Sequence, residues 1–460
     1  MLSLSIKLRI AQAVGALVRA TRRGGGTSLP GKVLLRLEPQ AINELSGRLS
    51  QGSAVISATN GKTTTATITA KILGRAGRTL VHNRAGANMA GGIASALLAA
   101  SHGEREIAGD TGLFEVDEFW LDTVTAQARP RAILLANLFR DQLDRYGELE
   151  TIADRWSHVV AGLPADTALV LNADDPLIAD LGRERLGVTY YGIDDDALAL
   201  PEMQHASDSK HCRNCGHAYV YDAVYMGHLG HYHCPECGRR RPEPGVRAEQ
   251  ISLHGTSSAA FTLVTPGGAR TVSLKLPGLY NIYNALAATS LCLALGIGLD
   301  DIVAGLEAAT AAFGRAEMIA VGDTSLQILL IKNPAGANEI LRTLALESDR
   351  LDVLAILNDN IADGRDVSWV WDADFELLTP HLRSVTCAGT RAAELAVRLK
   401  YAGVPEDALA VVPDLAQALD SAVAGANGQL FALPTYTALL ALRDELSSRG
   451  YVGQYWEAAA

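Results

Sequence analysis

Residues 53–70 read SAVISATNGKTTTATITA. A run of small and β-branched residues, SAVIS, predicts a buried strand. A short loop follows, and then Gly61-Lys62-Thr63-Thr64 opens a Thr- and Ala-rich helical stretch that stops near Gly77. Strand, loop and helix joined at Gly-Lys-Thr form a phosphate-binding device, because the free N–H groups of the helix start face phosphate oxygens. Lys62 brings a point charge to the β- and γ-phosphates, and Thr63 offers a hydroxyl to Mg²⁺. The segment is not a full Walker A, since Ile56 stands where that pattern requires Gly.

Short apolar runs alternate with helical stretches on the C-terminal side of this loop. Strands are predicted at Gly112–Val116, Arg131–Ala136, Ala168–Asn172 and Val188–Gly192, and a helix at Ile282–Leu295. From near residue 315 the alternation resumes. Strands are predicted at Leu326–Ile331, Val353–Leu357, Ser384–Ala388, Ala408–Val412 and Gln429–Leu433, separated by helices at 337–346, 391–402, 414–424 and 436–448. Such alternation predicts a doubly wound, mostly parallel α/β sheet in each block. Residues 24–31, GGGTSLPG, read as a loop, followed by a helical stretch to about Leu49. The expected division is an N-terminal helical segment (1–45), a central domain (46–312) with an insertion at 203–245, and a C-terminal α/β domain (313–460).

The chain has 460 residues, of which 48% are hydrophobic and 20% charged, enough apolar material for real cores. Its net charge of −11 opposes general nucleic-acid binding, which needs excess cations. No run of about 18 apolar residues predicts a membrane span. Lys7 and Arg9 interrupt any signal-peptide core in residues 2–18. Leu2, Ile6, Ile10, Ala13 and Leu17 recur at helical spacing there. The stripe is read as the packed face of a helix, with a membrane-surface helix as the other reading.

Cys212-x₂-Cys215 and Cys234-x₂-Cys237 lie 18 residues apart, each pair followed by Gly (Gly216 and Gly238). Four thiolates so spaced suit tetrahedral Zn²⁺, closed and therefore structural. Cys292 and Cys387 sit in apolar runs and read as buried bystanders.

TNGKTT at 59–64 resembles the nucleotide loop of the Mur ligase superfamily, the ATP-dependent amide-forming enzymes of peptidoglycan and folylpolyglutamate synthesis. FEVDE at 114–118, NLFRDQLDRYGE at 137–148, LNADDP at 171–176, LPGLYNIYNALAA at 276–288 and FGRAE at 313–317 follow in the family's order. The resemblance implies a Mur-ligase-like central P-loop domain with an inserted Cys₄ zinc ribbon, plus a C-terminal Rossmann-like α/β domain. It implies a nucleotide site on Thr59, Asn60, Gly61, Lys62, Thr63 and Thr64, with Mg²⁺ on Thr63 and Glu115. Asn281 and Asn284 are expected to meet the adenine; read alone, they serve as well as helix N-caps. Arg315 is expected to contact nucleotide at the hinge between domains. Read alone, FEVDE is also a solvated acidic loop. The chain departs from the family at Ala58, which replaces the usual Gly and requires an ordinary backbone conformation, and at Gln142, which replaces the usual His. Residues 185–209 contain no Lys to match the carbamylated lysine of many relatives, and fewer than 60 residues precede the loop, so a UDP-sugar domain is not expected.

With the Cys₄ insertion and KNPAG at 332–336, nearly the whole chain is similar to one branch of that superfamily, the ligase-like subunits of lipid II isoglutaminyl synthases. That resemblance implies ATP-dependent amidation of the α-carboxylate of D-Glu in the lipid II stem peptide, with ammonia from a GatD-like glutaminase in a heterodimer. It implies ATP, Mg²⁺ and Zn²⁺ as cofactors, and work at the inner face of the cytoplasmic membrane. Asp366, in DGRD at 363–366, is expected to complete the partner's Cys-His pair. Lys62 and Glu115 are the expected catalytic groups, and Lys332 a second cation near the γ-phosphate. By itself the run at 357–376 is an acidic, turn-rich loop after a strand. A stand-alone ligase of the folylpolyglutamate synthetase type would need no glutaminase, and a non-enzymatic scaffold would bind no nucleotide.

Overall fold

The computed structural model describes residues 2–20, 28–83, 87–103, 106–141, 149–205, 207–310 and 315–453. Ser53–Ser57 lies inside a nine-stranded sheet, flanked in parallel by Thr111–Glu115 and Ala132–Leu135. Ala54 and Ile56 enter the core on one face with the helices Lys62–Arg75 and Leu279–Ala294. Val55 enters the core on the other face with Leu29–Leu37 and Ala90–Ala100. A strand buried on both faces must be apolar throughout, which is why SAVIS reads as a continuous run.

Beyond Ala132–Leu135 the parallel order continues through Ala168–Asn172, Val188–Ile193 and Val246–His254. The last two strands, Ser258–Thr265 and Gly268–Leu274, are antiparallel. They were not among the predicted strands. Ser258–Thr265 alternates half-buried and buried residues, the mark of an edge hairpin with one wetted face. Leu80–His82, the opposite edge, is too short to announce itself.

The second sheet has six strands in the order Arg315–Val321, Thr324–Leu329, Gln429–Pro434, Leu351–Ile356, Leu382–Ala388 and Leu409–Val411. All pairs but the first are parallel. Separate apolar clusters cover its two faces.

Three expectations change. The loop expected through Gly31 ends earlier, because a helix begins at Leu29. Pro30 fits its first turn, where a missing N–H costs nothing. A Cβ at Gly31 would lie 1.9 Å from the Gly91 carbonyl oxygen, so only Gly permits this helix crossing. Neither Asn281 nor Asn284 caps a helix, since the N-cap is Gly278. The first helix, Leu4–Ala20, does pack on the body, but through Leu8 and Ala11; the stripe of Leu2, Ile6, Ile10 and Leu17 is exposed. Among the described residues no helix is long and apolar enough to cross a membrane.

Candidate active site

The loop 58–61 turns between strand and helix on a left-handed glycine. Gly61 has φ +84°, and a Cβ there would meet the Asn284 Oδ1 at 2.1 Å. Ala58 is not among the residues with positive φ, as the departure at that position requires. Asn137, at the end of the neighbouring strand, clamps the loop. Its Oδ1 accepts from the Asn60 N–H at 2.8 Å, and its Nδ2 donates to the Asn60 carbonyl at 3.0 Å. Gly61, the N-cap, has no side chain to cap the first helical turn, which leaves that turn suited to an anion.

Lys62, Thr63 and the FEVDE segment meet at the carboxyl ends of two adjacent strands. Thr63 Oγ1 donates to Glu115 Oε1 at 3.0 Å. Lys62 Nζ lies 2.9 Å from Glu118 Oε2 and also donates to the Ala58 carbonyl. Glu115, Asp117 and Glu118 are all buried, so the solvated-loop reading of FEVDE is wrong. Burial works against the charge on Lys62, but Glu118, then Glu115 and Asp117, more than offset it and raise its pKa. Lys62 is therefore a held ammonium. Asn83 fixes the backbone of Glu115 from both sides, accepting its N–H at 2.9 Å and donating to its carbonyl at 2.7 Å. The donor set of Thr63 and Glu115, a hydroxyl and a carboxylate oxygen, fits a hard divalent cation.

A cleft opens beside this centre, between the helices Leu279–Ala294 and Pro334–Leu344. Asn281 and Asn284 lie on one wall. Asn284 donates to Asn281 Oδ1 at 3.1 Å and accepts from Thr65 Oγ1 at 3.2 Å. The other wall carries Lys332, which pairs with Asp141 and donates to the Thr59 carbonyl at 3.1 Å. Asn333 and Asn60 exchange two amide hydrogen bonds, at 3.0 and 3.2 Å. The second sheet's first helix is thus tied directly to the phosphate loop.

Glu118, Asn137, Asn83 and Asn333 were not singled out from sequence, although three of them lie inside quoted motifs. Only contact distinguishes them from their neighbours. Glu339, on the cleft wall, carried no signal at all. Burial pushes its carboxyl up, although Arg342 lies 2.7 Å away. Gln142 and the side chain of Arg315 lie outside the described residues.

Asp366 is exposed, in the loop after the strand Leu351–Ile356, and takes no part in the contacts just described. The Ser368 hydroxyl and backbone N–H, the latter at 2.8 Å, hold its carboxyl below the ordinary range. Its acidic neighbours have local duties. Asp363 caps the helix Tyr436–Ser448 through the Thr437 N–H at 2.7 Å, and Asp359 pairs with Arg391 at 2.9 Å.

The ligand atoms of Cys212, Cys215, Cys234 and Cys237 all lie within 4.8 Å of one another. Gly216 and Gly238 have φ of +76° and +72°, making the two tight knuckles. The Arg239 backbone N–H, chiefly, draws the Cys237 thiol down to about 6. For Cys215 the His217 N–H favours the thiolate, but desolvation and the other thiols push it up to about 12. Four thiols gathered this closely are a donor set that a divalent soft cation would satisfy. The hairpin between the knuckles, Val220–Met226 and Leu229–His233, turns at Gly227 and buries His228. His228 packs on Phe139 at 4.8 Å and faces Asp175 at 3.4 Å. The Phe139 N–H donates to Thr59 Oγ1 at 3.2 Å, so the insertion's tip braces the phosphate loop.

Residues 56–233 match the family described as Mur ligase middle domain, and residues 330–439 the one described as MurT ligase C-terminal. The chain is 33% identical over 440 residues to subunit MurT of the lipid II isoglutaminyl synthase (glutamine-hydrolyzing) of Staphylococcus aureus strain N315, spanning 95% of this chain and 97% of that one. The chain belongs to the MurT family. The MurT subunit of Streptococcus pneumoniae is 32% identical over 433 residues, spanning 94% and 95%. The MurT fold extends to the pseudomurein peptide ligase type C of Methanothermus fervidus, with TM-score 0.67, 22% identity, and 87% and 79% of the two chains covered. It extends also to the folylpolyglutamate synthase of Mycobacterium tuberculosis complexed with ADP and AMPPCP, with TM-score 0.61, 16% identity, and 93% and 99% covered. A Mur-ligase fold implies ATP and Mg²⁺, and a MurT chain, being a subunit by name, implies a second one.

Proposed function

We propose that this chain is the ATP-consuming subunit of a glutamine-dependent amidotransferase that converts the α-carboxylate of D-Glu in the lipid II stem peptide to D-isoglutamine. What supports the reading most is the meeting of Lys62, Thr63 and Glu115 in a chain that aligns with MurT subunits over 95% of its length. Thr59, Asn60, Gly61 and Thr64, with Lys62, would cradle the phosphates. Asn281 and Asn284 would meet the adenine in the cleft, with Arg315 as a further nucleotide contact. Lys332 would exchange Asp141 for the γ-phosphate. Mg²⁺ held by Thr63 and Glu115 would screen phosphate charge.

A carboxylate oxygen of the substrate attacks the γ-phosphorus, the bond to the β–γ bridging oxygen breaks, and ADP leaves. Positioning and charge neutralisation carry that step. Ammonia then attacks the acyl carbon, phosphate leaves, and a proton is lost from nitrogen, giving the amide. A GatD-like glutaminase supplies the ammonia, and Asp366 orients and stabilises the charged form of that partner's His. Zn²⁺ on Cys212, Cys215, Cys234 and Cys237 is structural. The working units are 1–45, 46–312 with the 203–245 insertion, and 313–460, acting in the cytoplasm at the inner face of the membrane.

The test is co-purification with a candidate glutaminase and assay of lipid II with glutamine and ATP. The expected result is one ADP per amide formed, dependent on both subunits. Amide formation by this chain alone with a free amino acid would establish the stand-alone ligase instead.

A further inference from the structure

The helix Leu4–Ala20 has two apolar faces, and the body of the protein covers only one. Leu8 and Ala11 are buried, the Gln12 side chain donates to the Ser101 carbonyl at 3.2 Å, and Lys7 pairs with Glu38 at 2.8 Å. These contacts fix which way the helix faces. On the other side Leu2, Ile6, Ile10 and Leu17 are 51, 44, 39 and 66% exposed. The spacing of Ile6, Ile10 and Leu17 stacks them in one stripe along the outer surface, and Leu2 lies just before the helix begins. No contact described for the active site involves them.

Along the sequence the charge of this stretch has one sign: Lys7, Arg9, Arg19, Arg22, Arg23, Lys32 and Arg36 all precede the first acidic residue, Glu38, in a chain of net charge −11. Lys7 is paired with Glu38, and Arg9 is exposed on the helix. We propose that this face is a docking surface for an anionic lipid bilayer, with the helix lying flat and the Leu2–Ile6–Ile10–Leu17 stripe inserted at the headgroup–acyl boundary. An apolar stripe gives the insertion energy, and cations beside it draw the helix to anionic headgroups. The helix has 17 residues and cannot cross a bilayer. A second copy of the chain fits poorly as the occupant, because pairing two such faces would bring like charges together. The inference deepens the proposed function, since a lipid-linked substrate is met at a membrane surface. Its test needs no substrate, so failure to bind vesicles and failure to amidate are separate results.

The full chain is floated with vesicles of phosphatidylglycerol and phosphatidylethanolamine, and with phosphatidylcholine vesicles, at low and high salt. The wild type is expected to float with the anionic vesicles, and less with phosphatidylcholine or at high salt. The double substitution Ile6→Glu, Ile10→Glu should lower partitioning by about tenfold or more, and Arg9→Glu by roughly threefold. Leu17→Trp supplies a readout that does not depend on a disruptive change, as its emission should shift to the blue when anionic vesicles are added. Equal flotation of wild type and double variant, an unmoved tryptophan emission, or flotation indifferent to lipid charge would each overturn the proposal. So would a wild-type dimer that Ile6→Glu dissociates.

Discussion

Glu115 and Asp366 are both carboxylates beyond the ends of parallel strands, and the molecule treats them differently. Glu115 is buried, its backbone held twice by Asn83 and its side chain met by Thr63 at 3.0 Å. Asp366 is exposed and engaged by Ser368 at the edge of its own loop. Buried charge persists only where partners compensate it, so the Lys62–Glu115–Glu118 centre is preorganised by this chain alone. An exposed, ionised carboxylate held on one side offers its other side to whatever docks there. On the proposed function, the contrast separates a site the chain completes from one that a second subunit would complete.

The sharpest way to break this contrast is to remove one member of each site. Lys62→Ala should reduce amidation by roughly 10³-fold or more with either nitrogen source, because the phosphate charge loses its cation. Measured ATP consumption and amide release should fall together, while the glutaminase still co-purifies. Asp366→Asn should lower glutamine-dependent amidation by roughly 10²–10⁴-fold, yet leave the rate with supplied ammonium close to wild type. If ammonium fails to restore turnover, the two sites are not independent and the comparison fails.

Two smaller effects sharpen it. The two cysteine knuckles flank a hairpin whose tip, His228, packs on Phe139 beside the phosphate loop. One of its strands also accepts from Arg342 through the Tyr225 carbonyl at 2.6 Å. Cys212→Ser, or strong chelation, should therefore lower Tm by roughly 5–10 °C and raise the KM for ATP, with metal content followed by elemental analysis. An unchanged ATP KM after metal loss would uncouple the insertion from the nucleotide site. The smallest effect concerns pH. Burial opposes charge on His228, but Asp175, and then Asp208, outweigh it and raise its pKa above 6.5. A raised value in the folded state means the stabilisation is complete below the unfolded value and is lost as pH rises through the folded one. His228→Gln should cost about 2 kcal/mol at pH 6 and less at higher pH, with thermal unfolding across pH as the measurement. A constant difference would show that the ring packs without its charge.

Much of this was legible along the chain because it is local. SAVIS and the Thr-rich helix behind Gly61 are a continuous signal, and five of the six strands of the second block fall within a residue or two of the predicted ones, the antiparallel edge strand Arg315–Val321 being the one without a predicted counterpart. The edge hairpin after His254 was not legible, since half of each strand faces water and dilutes the apolar pattern. Asn137 and Asn333 escaped notice for another reason. An amide can cap, turn or clamp equally well until a partner stands opposite, and these two meet Asn60 from positions 77 and 273 residues away.

By itself, then, the order of residues marked the strand, loop and helix around Gly61-Lys62-Thr63 and the two Cys-x₂-Cys turns, because each is a short spacing that local backbone geometry must satisfy. Only tertiary structure decided that FEVDE is buried, that the insertion's tip reaches beneath Thr59, and that the first helix turns Leu8 inward and Ile6 outward. Those outcomes depend on which surfaces compete for one another, and a helix with two apolar faces does not say in one dimension which of them the core will take.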